Sequence, residues 1–104
     1  FDVWLLVISV VAGQLFAETP ADRGYAALKR KEYEEAAEAF RKAISTAPAD
    51  VALRKELAYT LLKMGETEQG RDEFREVVAL APQDTHALLE FAFLCSETGE
   101  IAEA

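Results

Sequence analysis

His86 and Glu90 are the two residues whose types and spacing come closest to a site for chemistry. They stand four residues apart, a spacing that can place two metal ligands on one side of a helix. No third ligand accompanies them, because Cys95 falls on the opposite, apolar side of the same predicted helix. The pattern therefore predicts that His86 is an exposed surface residue, that Cys95 is a small buried hydrophobic residue, and that no metal binds here.

A second group with chemical potential is the acidic cluster Glu34, Glu35 and Glu38. It shares a predicted helix with Arg41 and Lys42, and Glu38 with Lys42 forms an i,i+4 pair that is typical of a solvated outer face. The sequence contains no glycine-rich phosphate loop, nucleophile elbow or paired-cysteine motif. We therefore predict no catalytic residues, no cofactor and no enzymatic activity.

Composition excludes further classes of function. The chain has 104 residues, enough for one small domain, with 19 acidic and 11 basic side chains and a formal charge of -8. A nucleic-acid binder needs Lys and Arg to displace counterions from phosphates, and an anionic membrane surface repels an acidic protein. All the basic side chains lie in residues 23–75, so the C-terminal end is expected to be negative.

Residues 1–17 differ from the rest of the chain because residues 3–17 are almost wholly apolar. The run is short for a membrane span, which needs about 20 residues, but it matches the apolar stretch of a secretory signal. A basic leader is absent and the chain begins at Phe1. We interpret residues 1–17 as a truncated signal peptide cut near Glu18, with a cut after Ala12 as the alternative, which implies a periplasmic or extracellular protein. An uncleaved membrane anchor and an apolar helix packed on the domain are the alternatives.

From Glu18 onward the sequence repeats itself at a constant offset, which carries Phe40 onto Phe74 and Pro48 onto Pro82. A period of this size is typical of stacked repeat proteins. Each unit is predicted to form two helices, the first capped by Asp50 or Asp84 and ended by Gly65 or Gly99. The second helices are expected over residues 33–46 and 68–80, each stopped by Ala-Pro. The first unit starts instead at the segment Thr19-Pro20-Ala21-Asp22, which has the pattern of a capping box.

These units resemble the tetratricopeptide repeat family. The residues that carry the resemblance are Gly24, Tyr33, Ala36, Phe40, Ala43 and Pro48, then Leu57, Ala58, Gly65, Phe74 and Pro82, and finally Phe91, Ala92, Gly99 and Ala104. Three positions depart from the family pattern, namely Lys31 in place of a turn glycine, Gly70 and Arg54. The resemblance implies an all-α fold of antiparallel helix-turn-helix repeats, stacked as a right-handed α-solenoid over residues 18–104. Its units would be 17–50, 51–84 and an incomplete 85–104.

In this family the first helix of each pair is expected to line the concave surface, so that is where a binding site is predicted. The candidate partner-binding residues there are Tyr25, Lys29, Lys55, Tyr59, Leu62, Lys63, His86 and Phe93. The aromatic ones recur once in every repeat and could form a ladder for a ligand, or they could pack against the next repeat. The lysines could meet a partner's carboxylates, or they could be solvated or paired with Glu32 and Glu66.

The resemblance therefore predicts a non-enzymatic scaffold that binds a protein or peptide. The alternative is a structural spacer or oligomerisation element of a larger exported protein. A clamp for carboxylate tails is excluded, because Glu56 and Glu90 occupy positions where such family members carry cationic or amide side chains. If the third unit lacks a full second helix, Leu88, Phe91 and Cys95 should be exposed and favour self-association.

Overall fold

The computed structural model describes residues 18–99. Within this range the chain forms five α-helices and no strand: α1 Pro20–Lys29, α2 Tyr33–Thr46, α3 Val51–Lys63, α4 Thr67–Leu80 and α5 Thr85–Glu97. They agree with the predicted helix pairs to within a residue at the boundaries given above. The apolar segment 1–17 and the sixth helix predicted to begin after Gly99 lie outside the described residues.

The helix starts follow the caps that the sequence indicates. Thr19 and Asp22 form a reciprocal capping box, with both hydrogen bonds at 3.1 Å. The carboxylates of Asp50 and Asp84 accept hydrogen bonds from the backbone N–H groups of Leu53, at 3.2 Å, and Ala87, at 3.1 Å. Each cap satisfies an N–H group that has no partner inside its own helix.

Lys31 replaces the expected turn glycine and nevertheless makes the same turn as Gly65. Lys31 has a φ of 59° and Gly65 a φ of 79°, both in the left-handed region. In each turn the next residue donates its backbone N–H back into the helix, from Glu32 to the carbonyl of Ala27 and from Glu66 to that of Leu61, both at 2.9 Å. This is the Schellman arrangement, so the first turn is as tight as the second.

Small residues set how closely the two helices of a repeat approach. A Cβ atom on Gly24 would lie 2.7 Å from the ring of Phe40, and one on Gly70 would lie 2.7 Å from Leu62. The helices can therefore pack at these points only because the side chain is absent. Arg54, another departure from the family pattern, binds Glu73 at 3.1 Å and the carbonyl of Pro48 at 2.8 Å, and so ties α3 to α4.

Each helix packs against the helices before and after it in the chain, around two apolar clusters. The first cluster joins α1, α2 and α3 around Phe40 and Leu57. The second joins α3, α4 and α5 around Phe74 and Phe91. Because α3 contributes to both clusters, neighbouring repeats share a continuous core, which is how repeat proteins obtain their stability.

The exposed apolar strip expected at the end of the third unit is only partly observed. Leu88 is 45% exposed, but Phe91 is 6% and Cys95 0% exposed, so the expected exposure was wrong for those two residues, and the burial predicted for Cys95 is confirmed. Both belong to the second cluster, where α5 packs on Phe74 and Val77 of α4. The apolar side chains that α5 does expose are Leu88, Leu89 and Phe93.

Candidate functional site

The predicted binding residues all lie on α1, α3 and α5, the first helices of the three repeats. Two side-chain contacts join α3 to α5 on this side of the molecule. The Nζ atom of Lys55 lies 2.6 Å from the carboxylate of Asp84, and the hydroxyl of Tyr59 lies 3.2 Å from Nδ1 of His86. We call the surface formed by Tyr25, Lys29, Lys55, Tyr59, Leu62, Lys63, His86 and Phe93 the first-helix face.

The two tyrosines of this face occupy equivalent environments one repeat apart. The ring of Tyr25 meets Phe40 edge to face at 5.2 Å and 81°, and the ring of Tyr59 meets Phe74 at 5.2 Å and 82°. Such aromatic pairs add stability beyond the area they bury. Each ring thus packs on the second helix of its own repeat. Tyr25 remains 41% exposed, whereas Tyr59 is half-buried.

Phe93, the third member of the aromatic series, is in a different environment. It is 61% exposed, its neighbour Leu89 is 64% exposed, and within residues 18–99 Phe93 has no aromatic ring partner. These two side chains are the most exposed large apolar groups of the described chain. Leu62 differs again, since it is half-buried in the second cluster and covers Gly70.

The three lysines of the face are not equivalent. Lys55 is held by Asp84, a partner that sequence reasoning missed because Asp84 was recognised only as an N-cap. Lys29 and Lys63 are exposed in the last turns of α1 and α3, where a positive charge is favourable beside the helix C-terminus. Neither makes an ion pair with a residue of the described range. Glu32, one of the expected lysine partners, instead binds Arg30 at 3.2 Å.

Burial and the negative charges of carboxylates both act on the pKa of the two tyrosine hydroxyls. Burial raises the pKa of Tyr25, and the negative charges of Glu56 and Asp50 raise it further. Burial likewise raises the pKa of Tyr59, with Glu90 as the next contribution. The arrangement recurs in the next repeat, because Glu56 and Glu90 are equivalent positions. The sequence contained a signal for this arrangement, because a glutamate stands three residues before the tyrosine or phenylalanine in both the second and the third repeat.

His86 and Glu90 do not form a metal site with a third residue. Nε2 of His86 lies 3.9 Å from the carboxylate of Glu90, and the His86 side chain is 66% exposed. No group of three or more His, Cys, Asp or Glu side chains within residues 18–99 is arranged to hold a metal ion. Cys95 is fully buried in the apolar cluster. Among the described helices, none is long and apolar enough to cross a membrane.

The tetratricopeptide repeat family model matches residues 27–87, more than half of the chain, so this chain belongs to the tetratricopeptide repeat family. The family generally comprises non-enzymatic domains that bind proteins or peptides, and nothing in the described residues points to catalysis.

Two solved structures have a similar fold, a MamA point mutant and MamA AMB-1. Each superposes with a TM-score of 0.68 and 22% sequence identity, over 78% of this chain and 44% of the MamA chain. The similarity at this identity concerns the helical-repeat fold, and this chain spans less than half the length of MamA. A comparison with curated proteins found no significant match.

Proposed function

We propose that this chain is a non-enzymatic interaction module that binds a protein or peptide on its first-helix face. The observation that carries the proposal is the exposure of Phe93, at 61%, and of Leu89, at 64%, which lies one turn before it on α5 and borders this face. Exposed apolar side chains that lie together and are bordered by charged groups are typical of interaction sites. Aromatic side chains are also the usual anchors of binding energy in such sites.

The repeat geometry supports a concave location for this site. Consecutive helix pairs share α3 between their two cores, and stacking of this kind produces a superhelix with one extended binding surface. We infer a right-handed solenoid in which α1, α3 and α5 line the inner side. A partner lying across these helices would meet Tyr25, Tyr59 and Phe93 in succession.

Selection of peptides provides the direct test. A random peptide library displayed on phage is selected against the purified chain, and the affinities of the recovered peptides are measured by fluorescence anisotropy. We expect Leu89→Ala combined with Phe93→Ala to weaken binding at least about fivefold. Leu80→Ala is the matched control, because Leu80 is 41% exposed but lies on a second helix, α4. Equal affinity for both variants would remove the first-helix face from the mechanism.

The exposed apolar residues of α5 also favour the second candidate, an oligomerisation element. Leu88 is 45% exposed and adjoins Leu89 in sequence, so a second chain could cover both. Sedimentation velocity over a concentration series separates the two functions. A monomer that binds selected peptides supports the interaction module, whereas a stable oligomer that binds none supports the structural element.

We further propose that residues 1–17 direct export to the periplasm or the extracellular space. The support is the composition break at Glu18 together with the length of the apolar run, which suits a signal sequence better than a span. N-terminal sequencing of the protein from fractionated Gram-negative cells tests this. A mature N-terminus near Glu18 is expected, and an intact apolar segment in the cytosolic fraction would exclude export. Recovery of the intact segment in the membrane fraction would indicate an anchor.

A further inference from the structure

Three rows of side chains cross the first-helix face, and each row takes one residue from the equivalent position of each repeat. The acidic row consists of Asp22, Glu56 and Glu90. The aromatic row consists of Tyr25, Tyr59 and Phe93. The third row consists of Lys29, Lys63 and Glu97. A partner that follows the aromatic row therefore has carboxylates along one side.

Two members of the acidic row are not engaged by basic residues of the protein. Asp22 is occupied by its capping box with Thr19. Glu56 and Glu90 are half-buried and form no ion pair with a Lys or Arg within residues 18–99, and the only charged contact of Glu90 in that range is the distant one to His86. Lys55 adjoins Glu56 in sequence, but Asp84 holds its amine at 2.6 Å.

The lysines of the third row are too far along the helices to neutralise these carboxylates. Glu56 and Lys63 are seven residues apart on α3, which corresponds to about 10 Å along the helix axis. A partner that covers Leu89 and Phe93 would exclude water from this surface, and a charge pair formed under it would be stronger than one in bulk water. The excess of acidic side chains over the whole chain adds a long-range attraction for cations.

We propose that the partner is an extended peptide segment with two Lys or Arg side chains that pair with Glu56 and Glu90, and with an apolar side chain between them that contacts Leu89 and Phe93. This inference rests on the proposed function and specifies the chemistry of its partner. Side chains of α3 and the start of α5 touch in the Lys55–Asp84 and Tyr59–His86 contacts, so we take the spacing of packed helices, about 8 to 10 Å, as the distance between the two glutamates. A polyproline II segment returns to the same side after about three residues, at about 9 Å, so the two cations should be three positions apart.

Synthetic peptides labelled with fluorescein test the charge and the spacing. Three are compared by anisotropy: one with a Lys-Pro-Leu-Lys centre, one with Glu-Pro-Leu-Glu, and one in which the lysines are separated by a single residue. The Lys-Pro-Leu-Lys peptide should bind most tightly to the wild-type chain.

Variants of the protein test the two glutamates. Glu56→Gln combined with Glu90→Gln should weaken binding of the Lys-Pro-Leu-Lys peptide at least about tenfold and flatten the salt dependence of that binding. Glu68→Gln combined with Glu76→Gln is the matched control, because both glutamates are exposed on α4 and the variant has the same net charge; it should weaken binding less than about twofold.

The outcomes separate this inference from the proposed function. Equal or tighter binding of the acidic peptide, or an unchanged affinity in the Glu56→Gln, Glu90→Gln variant, overturns the basic-peptide inference. The proposed function survives either result if the display-selected peptides still lose affinity in Phe93→Ala. The proposed function fails if Phe93→Ala lowers the affinity for none of the basic, acidic or display-selected peptides. Circular dichroism spectra that match the wild type show that the Gln variants are folded.

Discussion

Lys31 is the single non-glycine residue within residues 18–99 that has a positive φ, at 59°. A left-handed conformation costs an L-residue about 1 to 2 kcal/mol because Cβ approaches the backbone carbonyl oxygen. Glycine has no such cost but loses more entropy on folding. We expect Lys31→Gly to raise the free energy of unfolding by about 0.5 to 1 kcal/mol in urea denaturation.

Gly65→Lys is the reciprocal variant for this prediction, because Gly65 occupies the equivalent turn with a φ of 79°. It should lower the free energy of unfolding by about 1 kcal/mol. A loss of stability in Lys31→Gly would mean that the Lys31 side chain makes a stabilising contact larger than the backbone strain.

The aromatic row should show a graded cost of truncation. Tyr59 is half-buried on Phe74, Tyr25 is 41% exposed on Phe40, and Phe93 is 61% exposed. Tyr59→Ala should therefore cost about 2 to 3 kcal/mol of stability, somewhat below the range for a fully buried ring. Tyr25→Ala should cost less, and Phe93→Ala under about 1 kcal/mol.

This order also decides which variants report on binding. Phe93→Ala leaves the fold nearly unchanged, so a loss of affinity in it measures contact with a partner, whereas Tyr59→Ala combines both effects. Urea denaturation of the three variants at equal protein concentration gives the order. A Phe93→Ala cost as large as that of Tyr59→Ala would show that the Phe93 ring is packed rather than available.

At the scale of the helix, Asp84 has two roles where Asp50 has one. Both cap the N-terminus of a first helix, but the carboxylate of Asp84 also binds Lys55 of the preceding repeat. Asp50→Ala should cost about 1 kcal/mol, the usual value for a lost N-cap. Asp84→Ala should cost more, because it also removes the contact between α3 and α5.

A double-mutant cycle with Lys55→Gln and Asp84→Asn isolates that second role, since asparagine keeps the capping oxygen. A coupling free energy significantly above zero is expected from thermal and urea unfolding. If the two substitutions are additive, the ion pair contributes nothing to the repeat interface, and Asp50→Ala and Asp84→Ala should then cost the same.

The helices were predictable from the sequence because their signals are local. Asp50, Asp84 and the Thr19 capping box act within one turn, and the constant repeat period identified which segments are equivalent. The ion pair between Lys55 and Asp84 was not predictable, because it joins residues of different repeats whose relative position depends on packing. The burial of Phe91 was missed for the same reason, since α4 covers it from one side, whereas the burial of Cys95 was predicted from its place on the apolar side of α5. The eight proposed binding residues stay a prediction.

At the scale of the whole molecule, two aspartates connect stability to pH. Hydrogen bonds from Thr19 hold the pKa of Asp22 below its usual 3.8, and the Lys55 amine, followed by the Ala87 N–H, does the same for Asp84. A carboxylate with a lowered pKa in the folded state stabilises the protein above its unfolded pKa, and the stabilisation disappears as pH falls through the folded pKa. Stability from these two groups should therefore be constant from about pH 5 to pH 8 and fall below about pH 4.

Asp84→Asn tests the assignment, because asparagine cannot titrate. Thermal unfolding from neutral to acidic pH should show a smaller acid destabilisation in this variant than in the wild type. Lys55→Gln should also reduce it, since the lysine is the first cause of the lowered pKa. An identical acid slope in all three proteins would assign the pH dependence to other carboxylates.

Charge and apolar exposure oppose each other at the α5 end of the molecule. Between Glu76 and Gly99 the chain has four acidic side chains and no Lys or Arg, while Leu88 and Leu89 are exposed. Apolar contact favours association of these ends, and repulsion between like charges resists it.

Raising the salt from about 0.05 M to about 0.5 M shortens the Debye length to a few ångströms and removes most of that repulsion. Sedimentation velocity should therefore show association that increases with salt, and Leu88→Ser with Leu89→Ser should reduce it while Leu80→Ser does not. If the chain stays monomeric at every salt and protein concentration, or if Leu80→Ser has the same effect, the exposed face of α5 does not drive association.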